Sequence, residues 1–369
     1  MTHETAYARA GVDIAAGDRA VELMKEHVAG TRRPEVLGGL GGFAGFFDAA
    51  TFKDYRHPVL ATSTDGVGTK VDIARRMKVY DTIGFDLMGM LVDDLVVVGA
   101  EPLFVTDYIS CGHVDPEVIA SIVKGIAQAC QKAGCALLGG ETAEHPGLLA
   151  PDEFDVAGAT TGVVERDEIL GPERIAEGDA LIAVASSGLH SNGYSLVRHV
   201  LLEQAGWTLD RHVDELGRTV GEELLEPTIV YAADLLALAH HSEVHAMCHV
   251  TGGGLANNLT RVMPSHLTAT NDPPGPRPPS SGSSRRSEPS HNLILKKPST
   301  WASEWSYPCR TIRCPKPWSS WRDVASPHGN AAPWPPARAP TCLLSRCSVG
   351  IPWTDASTFC AQVRGVLWH

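Results

Sequence analysis

The chain has no apolar run approaching the roughly 20 residues that cross a bilayer, and its amino terminus lacks the apolar stretch of a secretion signal. Both absences point to a protein that meets no membrane and works in the cytoplasm. Basic charge is the minority sign: 31 Lys and Arg face 43 Asp and Glu, a net charge of -12 over 369 residues. That balance excludes a nonspecific nucleic-acid binder but leaves room for a local pocket that receives phosphates. Cysteine is sparse in the first 270 residues, where Cys111, Cys130, Cys135 and Cys248 lie among Ala, Gly and Ile and read as free thiols. No G-x-S-x-G elbow and no Ser-His-Asp arrangement is present, so a covalent hydrolase is not indicated.

Ordinary patterning stops near Asn271. Residues 271–369 hold sixteen of the 25 prolines, seven of the 8 tryptophans and five of the 9 cysteines, without a hydrophobic period long enough to build an element. They carry twelve basic and five acidic residues, whereas residues 1–270 carry nineteen and thirty-eight. Cys309 and Cys314, like Cys342 and Cys347, are too weakly set among prolines to suggest a metal site. The expected organisation is therefore an amino-terminal domain over 1–169, a partial carboxy-terminal domain over 170–270, and a disordered or non-native tail over 271–369. The Gly, Pro and charged residues from Gly171 to Gly178 mark the boundary between the two domains.

What is present is glycine-rich backbone at strand ends. Residues 57–66, HPVLATSTDG, read as a strand-like apolar run that ends in the DGVGTK turn of STDGVGTK (63–70), and residues 134–147 read GCALLGGETAEHPG, a strand delivering Glu141 into a turn. DGVGTK is not the GxxxxGK(S/T) phosphate loop. Together, however, the two segments place flexible backbone beside Asp65, Lys70, Glu141 and Glu144, a set suited to a nucleotide's phosphates and their metal. Between them, GFDLMGMLVDDLVVVGAEP reads as a helix, and its adjacent Asp93 and Asp94 have little apolar-free space in which to idle. DPEVIASIVKGIAQACQKAG reads as a second helix, ending at Gly134. Beyond the boundary, ALIAVASS (180–187) reads as a buried strand, and MCHVTGGGLANNLTRVMP repeats a strand, glycine turn and helix. His190, Ser191 and Asn192 cluster in a turn between Gly188 and Gly193, and His249 opens a second such loop before GGG at 252–254. A helix amino terminus after those glycines would offer amide donors to phosphate.

The strings RRPEVLGGLGGF, STDGVGTK, GFDLMGMLVDDLVVVGAEPLFVTDYI, GCALLGGETAEHPG, GLHSNGYSLVR, ELLEPTIVY and HVTGGGLANNL are spread over residues 32–259. In combination they resemble the phosphoribosylformylglycinamidine cyclo-ligase family, the aminoimidazole ribonucleotide synthetases of purine biosynthesis. The resemblance implies a two-domain α/β (α+β) fold, with amino-terminal sheets paired across a homodimer into a barrel and α/β carboxy-terminal domains outside it. It implies ATP and magnesium (Mg2+) as co-substrate and cofactor, and formylglycinamidine ribonucleotide as the molecule closed to aminoimidazole ribonucleotide. Asp65, Asp94 and Glu141 are then expected at the metal, and Lys70 at phosphate. Gly66, Gly68, Thr69, Gly139 and Gly140 are expected around the nucleotide, with His190 and Asn192 on the substrate side. The family's apolar strands and NMGVGM-like segment are missing after about Ala269, a change that a shifted reading frame after residue 270 would produce. Such a tail leaves two other readings open: a nucleotide-binding or dimerisation module without turnover, and a related small-molecule kinase.

Overall fold

In the computed structural model, residues 13–39 and 41–269 are described; the expected tail over 271–369 lies outside them. Residues 13–175 and 185–264 belong to one compact unit, and residues 176–184 and 265–269 to a second.

The first unit is built on a four-stranded sheet. After two short strands, β1 (Val36–Leu37) and β2 (Phe46–Phe47), come β3 (Pro58–Gly66), β4 (Glu101–Cys111), β5 (Ala136–Glu144) and β6 (Phe154–Glu165), and these four lie in the order β3-β6-β4-β5. β6 is antiparallel to both neighbours, while β4 and β5 run parallel. One face is covered by helices. Val105, Ile109, Val156 and Gly158 point to that side, and Gly158 sits against Leu87 and Leu91 of the central helix. The other face is open: Leu60 is 58% exposed, Tyr108 42% and Phe46 62%, and an apolar hollow there is lined by Phe46, Phe47, Phe52, Leu60, Phe104 and Leu138.

The helices are α1 (Ile14–Ala29), α2 (Lys70–Met77), α3 (Thr82–Val96) and α4 (Pro116–Ala133). α4 forms where the sequence expects it. Asp115 caps its start by accepting from the amides of Glu117 and Val118, Pro116 occupies the first turn, and Gly134 closes the end at φ 75°. Ile119, Ile122, Val123, Ile126 and Cys130 supply its buried stripe. α3 packs unusually close to it: a Cβ on Gly84 would stand 2.2 Å from the Ile126 amide nitrogen, so a side chain at Gly84 would force the helices apart. α3 is buried around most of its circumference, which is why Asp86 and Asp93, seven residues apart on one face, are buried carboxylates.

After Ile175 the elements are shorter: α5 (Tyr194–Val197) runs into a π-helical stretch (Arg198–Gln204), followed by α6 (Val220–Leu224), α7 (Ala232–His241) and α8 (Gly254–Val262). Two expected strands do not form. Residues 180–187 are irregular, with Leu181, Ile182 and Val184 45%, 57% and 58% exposed, and residues 247–250 are irregular before α8. An apolar run becomes a strand only when a neighbour completes its ladder, and neither run has one among the described residues. No helix among the described residues is long and apolar enough to cross a membrane.

Candidate functional site

β3 delivers Asp65 and Gly66 to its carboxy-terminal end, where the Asp65 carboxylate accepts from the Gly66 amide at 2.7 Å. Gly68 follows at φ 72°, a left-handed turn that glycine adopts without strain, and the chain then enters α2 at Lys70. The Thr69 hydroxyl lies 3.1 Å from that of Ser195. Asp94, near the end of α3, reaches the same face of β3: its Oδ2 accepts from Ser63 Oγ at 3.3 Å, and Oδ1 lies 2.9 Å from His249 Nδ1. Ser63 and Asp65 are two residues apart on one strand face, about 7 Å. Asp65, Asp94 and His249 are thus brought to one side of the sheet.

Glu141 is not. In the register, Asp65 pairs with Gly158, Gly158 with Asp107, and Asp107 with Gly140, whereas Glu141 pairs with Tyr108 on the open face. Two strands intervene, a span of about 14 Å, and the side chains leave opposite faces. The expected carboxylate trio of Asp65, Asp94 and Glu141 is therefore not gathered within one chain; among the described residues no group of three His, Cys, Asp or Glu is placed to hold a metal. Gly140 has a packing reason of its own, because a Cβ there would meet Asp107 Oδ1 at 2.1 Å, while Gly139 has open space. Glu144 is engaged structurally, accepting from the amides of Asp13 at 2.8 Å and Val114 at 2.7 Å.

Lys70 also departs from expectation. Its side chain is fully buried, and its ammonium donates to Asp86 Oδ1 at 2.8 Å, to the His190 carbonyl at 2.7 Å and to the Glu226 carbonyl at 2.7 Å. An ammonium has three hydrogens, so none is left over for a phosphate in this arrangement. Asp86 Oδ1 additionally accepts from the Thr228 amide at 3.1 Å and hydroxyl at 2.6 Å. Burial pushes the Asp86 carboxyl up and the Lys70 ammonium down, and their contact pulls both back toward the charged pair. Sequence reading missed Asp86 and Thr228. The available signal was the helical spacing that sets Asp86 on the face of Asp93.

The loop above this pair carries His190 at φ 54°, the left-handed region, where a non-glycine residue is strained by about 1–3 kcal/mol. Its Nε2 accepts from the Ser187 amide at 3.2 Å, which places the ring proton of the neutral form on Nδ1. Burial first, then Lys70 and His249, lower its pKa to about 4, so the ring is neutral at physiological pH. Ser191 donates to the Val67 carbonyl at 2.6 Å, tying the loop to the DGVGTK turn, and Asn192 approaches Met90 Sδ at 3.2 Å. Beside them Asp93, its Oδ1 accepting from the Tyr231 amide at 3.2 Å, is raised to about 7 by burial. The arrangement sets a neutral imidazole and a strand-end turn on one buried ion pair, while Asp93 and Asp94 are held by Tyr231, Ser63 and His249.

Residues 47–164 match the family described as AIR synthase related protein, N-terminal domain, and residues 176–290 match its C-terminal domain. The phosphoribosylformylglycinamidine cyclo-ligase of Geobacillus sp. (strain WCH70) is 54% identical over 267 residues, 72% of this chain and 77% of that protein. The enzyme of the same name from Bacillus thuringiensis (strain Al Hakam) is 53% identical over 264 residues, 72% and 76% of the two chains. Among solved structures, thiamine-monophosphate kinase from Stenotrophomonas maltophilia K279a is similar at 20% identity, with a TM-score of 0.44 and 63% and 66% of the two chains covered.

Proposed function

The chain belongs to the phosphoribosylformylglycinamidine cyclo-ligase family, and on that premise we propose how its residues carry the family's reaction. It is an ATP-dependent ligase of purine biosynthesis that closes 2-(formamido)-N1-(5-phospho-D-ribosyl)acetamidine to 5-amino-1-(5-phospho-D-ribosyl)imidazole with release of ADP and phosphate. The observation that carries this conclusion is the extent of identity to enzymes of that name, 54% over 267 residues for one of them. Its fold is the two-domain architecture of the AIR synthase related proteins.

In our reading ATP phosphorylates the formamide oxygen. A new P–O bond forms as the bond to ADP breaks, the ribosyl-bearing nitrogen then attacks the formyl carbon, and the C–O bond breaks to release phosphate. Both reacting groups belong to one molecule, so orientation is most of what the protein must supply. His190, neutral and with its proton on Nδ1, and Asn192 are the substrate-side groups, the imidazole offering a hydrogen bond without a charge. Gly66, Gly68 and Thr69 at the β3 turn are the nucleotide-side backbone, while Gly139 and Gly140, separated from it by two strands like Glu141, lie outside it. Lys70 enters through the loop it holds rather than through phosphate.

Asp65 and Asp94 fit magnesium by donor chemistry, since that ion is held on nucleotides by one or two carboxylates together with phosphate oxygens. When bound it would offset phosphate charge; Glu141 stays outside that pair. The open sheet face, with Leu60, Phe46 and Tyr108 exposed, supports a homodimer in which two sheets cover each other as a barrel. We divide the chain into an amino-terminal domain over 1–169, a carboxy-terminal domain over 170–270 and the atypical segment over 271–369. The exposed apolar residues Leu181, Ile182 and Val184, which have no strand partner among the described residues, support an incomplete carboxy-terminal domain. Substrate carrying 18O in the formamide group tests the chemistry: the label should appear in inorganic phosphate, and label lost to water instead would contradict activation at that oxygen.

A further inference from the structure

We infer that Lys70 is a positioning residue for His190: its buried ammonium, bound to Asp86, grips the His190 carbonyl and holds the substrate-side loop in its left-handed turn. The inference rests on the reading of His190 as a substrate-side group.

Three segments distant in sequence meet at this one nitrogen. Asp86 comes from α3, the His190 carbonyl from the 188–193 loop and the Glu226 carbonyl from the segment before Thr228, at 2.8, 2.7 and 2.7 Å. Asp86 is in turn held by both donors of Thr228, and the Lys70 ammonium lies 5.3 Å from the Tyr194 ring centre at the start of α5. A strained residue persists only where its surroundings over-determine it. At His190 they do so from both sides: the carbonyl is held by Lys70, the ring accepts from Ser187, and the next residue, Ser191, is tied to Val67. A tetrahedral ammonium meets three divergent acceptors, which neither a neutral amide, with two hydrogens, nor a planar guanidinium does from the same place. Lys70 and Val67 both belong to STDGVGTK, so the nucleotide-side turn and the substrate-side loop share one anchor. A nucleotide that ordered the turn would thereby order the loop.

Removing Lys70 alone would leave Asp86 buried without its counter-charge, so the test replaces both partners by apolar residues of similar volume, Lys70→Met with Asp86→Leu, in the full-length chain. Hydrogen exchange and steady-state kinetics read the outcome. Amides of residues 186–195 should exchange at least tenfold faster while those of α3 keep their protection. KM for formylglycinamidine ribonucleotide should rise about tenfold while KM for ATP stays within twofold. Unchanged protection of 186–195, or a rise confined to KM for ATP, overturns the inference, the latter assigning Lys70 to the nucleotide. Should the double variant fail to fold, the unmodified chain with 15N-lysine supplies the judgement. An ammonium held by three acceptors gives a slowly exchanging NMR signal, one such signal is expected, and its absence overturns the inference. A chain without turnover would count against the reaction assigned to it, while the exchange and NMR readouts still decide whether Lys70 holds the loop.

Discussion

Replacing Thr228 by valine is a nearly shape-preserving change that removes one hydroxyl. Thr228 is 4% exposed and its methyl fills the notch left by Gly89, where a Cβ would stand 2.3 Å from Thr228 Cγ2. Valine keeps that methyl and opens no cavity. What disappears is the 2.6 Å bond to Asp86 Oδ1, an acceptor that is itself fully buried and paired with Lys70. Asp86 Oδ2 already has no hydrogen-bond partner among the described residues, so the carboxylate has no spare donor with which to compensate. A hydrogen bond to a charged group contributes about 1.5–3 kcal/mol, and for a unit of this size that corresponds to a fall in Tm of roughly 3–12 °C. Thermal unfolding followed by circular dichroism reads the shift. Thr260→Val serves as the control: its hydroxyl donates to the Asn257 carbonyl at an exposed site, and its loss should stay within about 0.5 kcal/mol. A Thr228 variant that melts with the unmodified chain would refute the buried Lys70–Asp86–Thr228 arrangement.

Three more outcomes are expected. Between pH 6.5 and about 4 the unfolded chain takes up a proton on His190 that the folded chain does not, so the His190 contribution to stability is lost as pH falls through that window, by up to roughly 3 kcal/mol, while Asp93, raised to about 7 by burial, acts in the opposite direction; the urea midpoint of His190→Gln relative to that of the unmodified chain should therefore rise as pH falls through the window, and a pH-independent difference would contradict the neutral buried ring. Asp94→Asn should raise the magnesium concentration needed for half-maximal ADP release by about tenfold or more, and an unchanged magnesium titration would remove Asp94 from the metal. Leu60→Glu places a charge on the open sheet face and should shift the chain from dimer to monomer in sedimentation, whereas an unaltered dimer would move the interface elsewhere.

Much of the sheet and its helices was legible because local signals agreed with one another. Asp115, Pro116 and Gly134 mark both ends of α4, and the strand-like apolar run that ends in the DGVGTK turn gives β3. The two failures after residue 175 share a cause: residues 180–187 and 247–250 have strand composition, but composition does not supply the neighbour that a ladder needs. The site was legible as a list of residues more than as a geometry. Asp65 and Glu141 occupy similar glycine-rich strand ends, and only the strand order β3-β6-β4-β5 and the pleat reveal that they leave opposite faces. Lys70 stands at the first turn of a helix after a glycine loop, where a long cation can turn outward to a ligand or inward to a carboxylate. Its partners lie 16, 120 and 156 residues away, a convergence that no local spacing encodes.

The most direct measurement is ADP release by the full-length chain with ATP and magnesium, with and without formylglycinamidine ribonucleotide, alongside the aminoimidazole ribonucleotide formed. A cyclo-ligase releases ADP only when the ribonucleotide is present, one for each imidazole closed. ADP release that ignores the ribonucleotide, or none in its presence, would contradict the assignment.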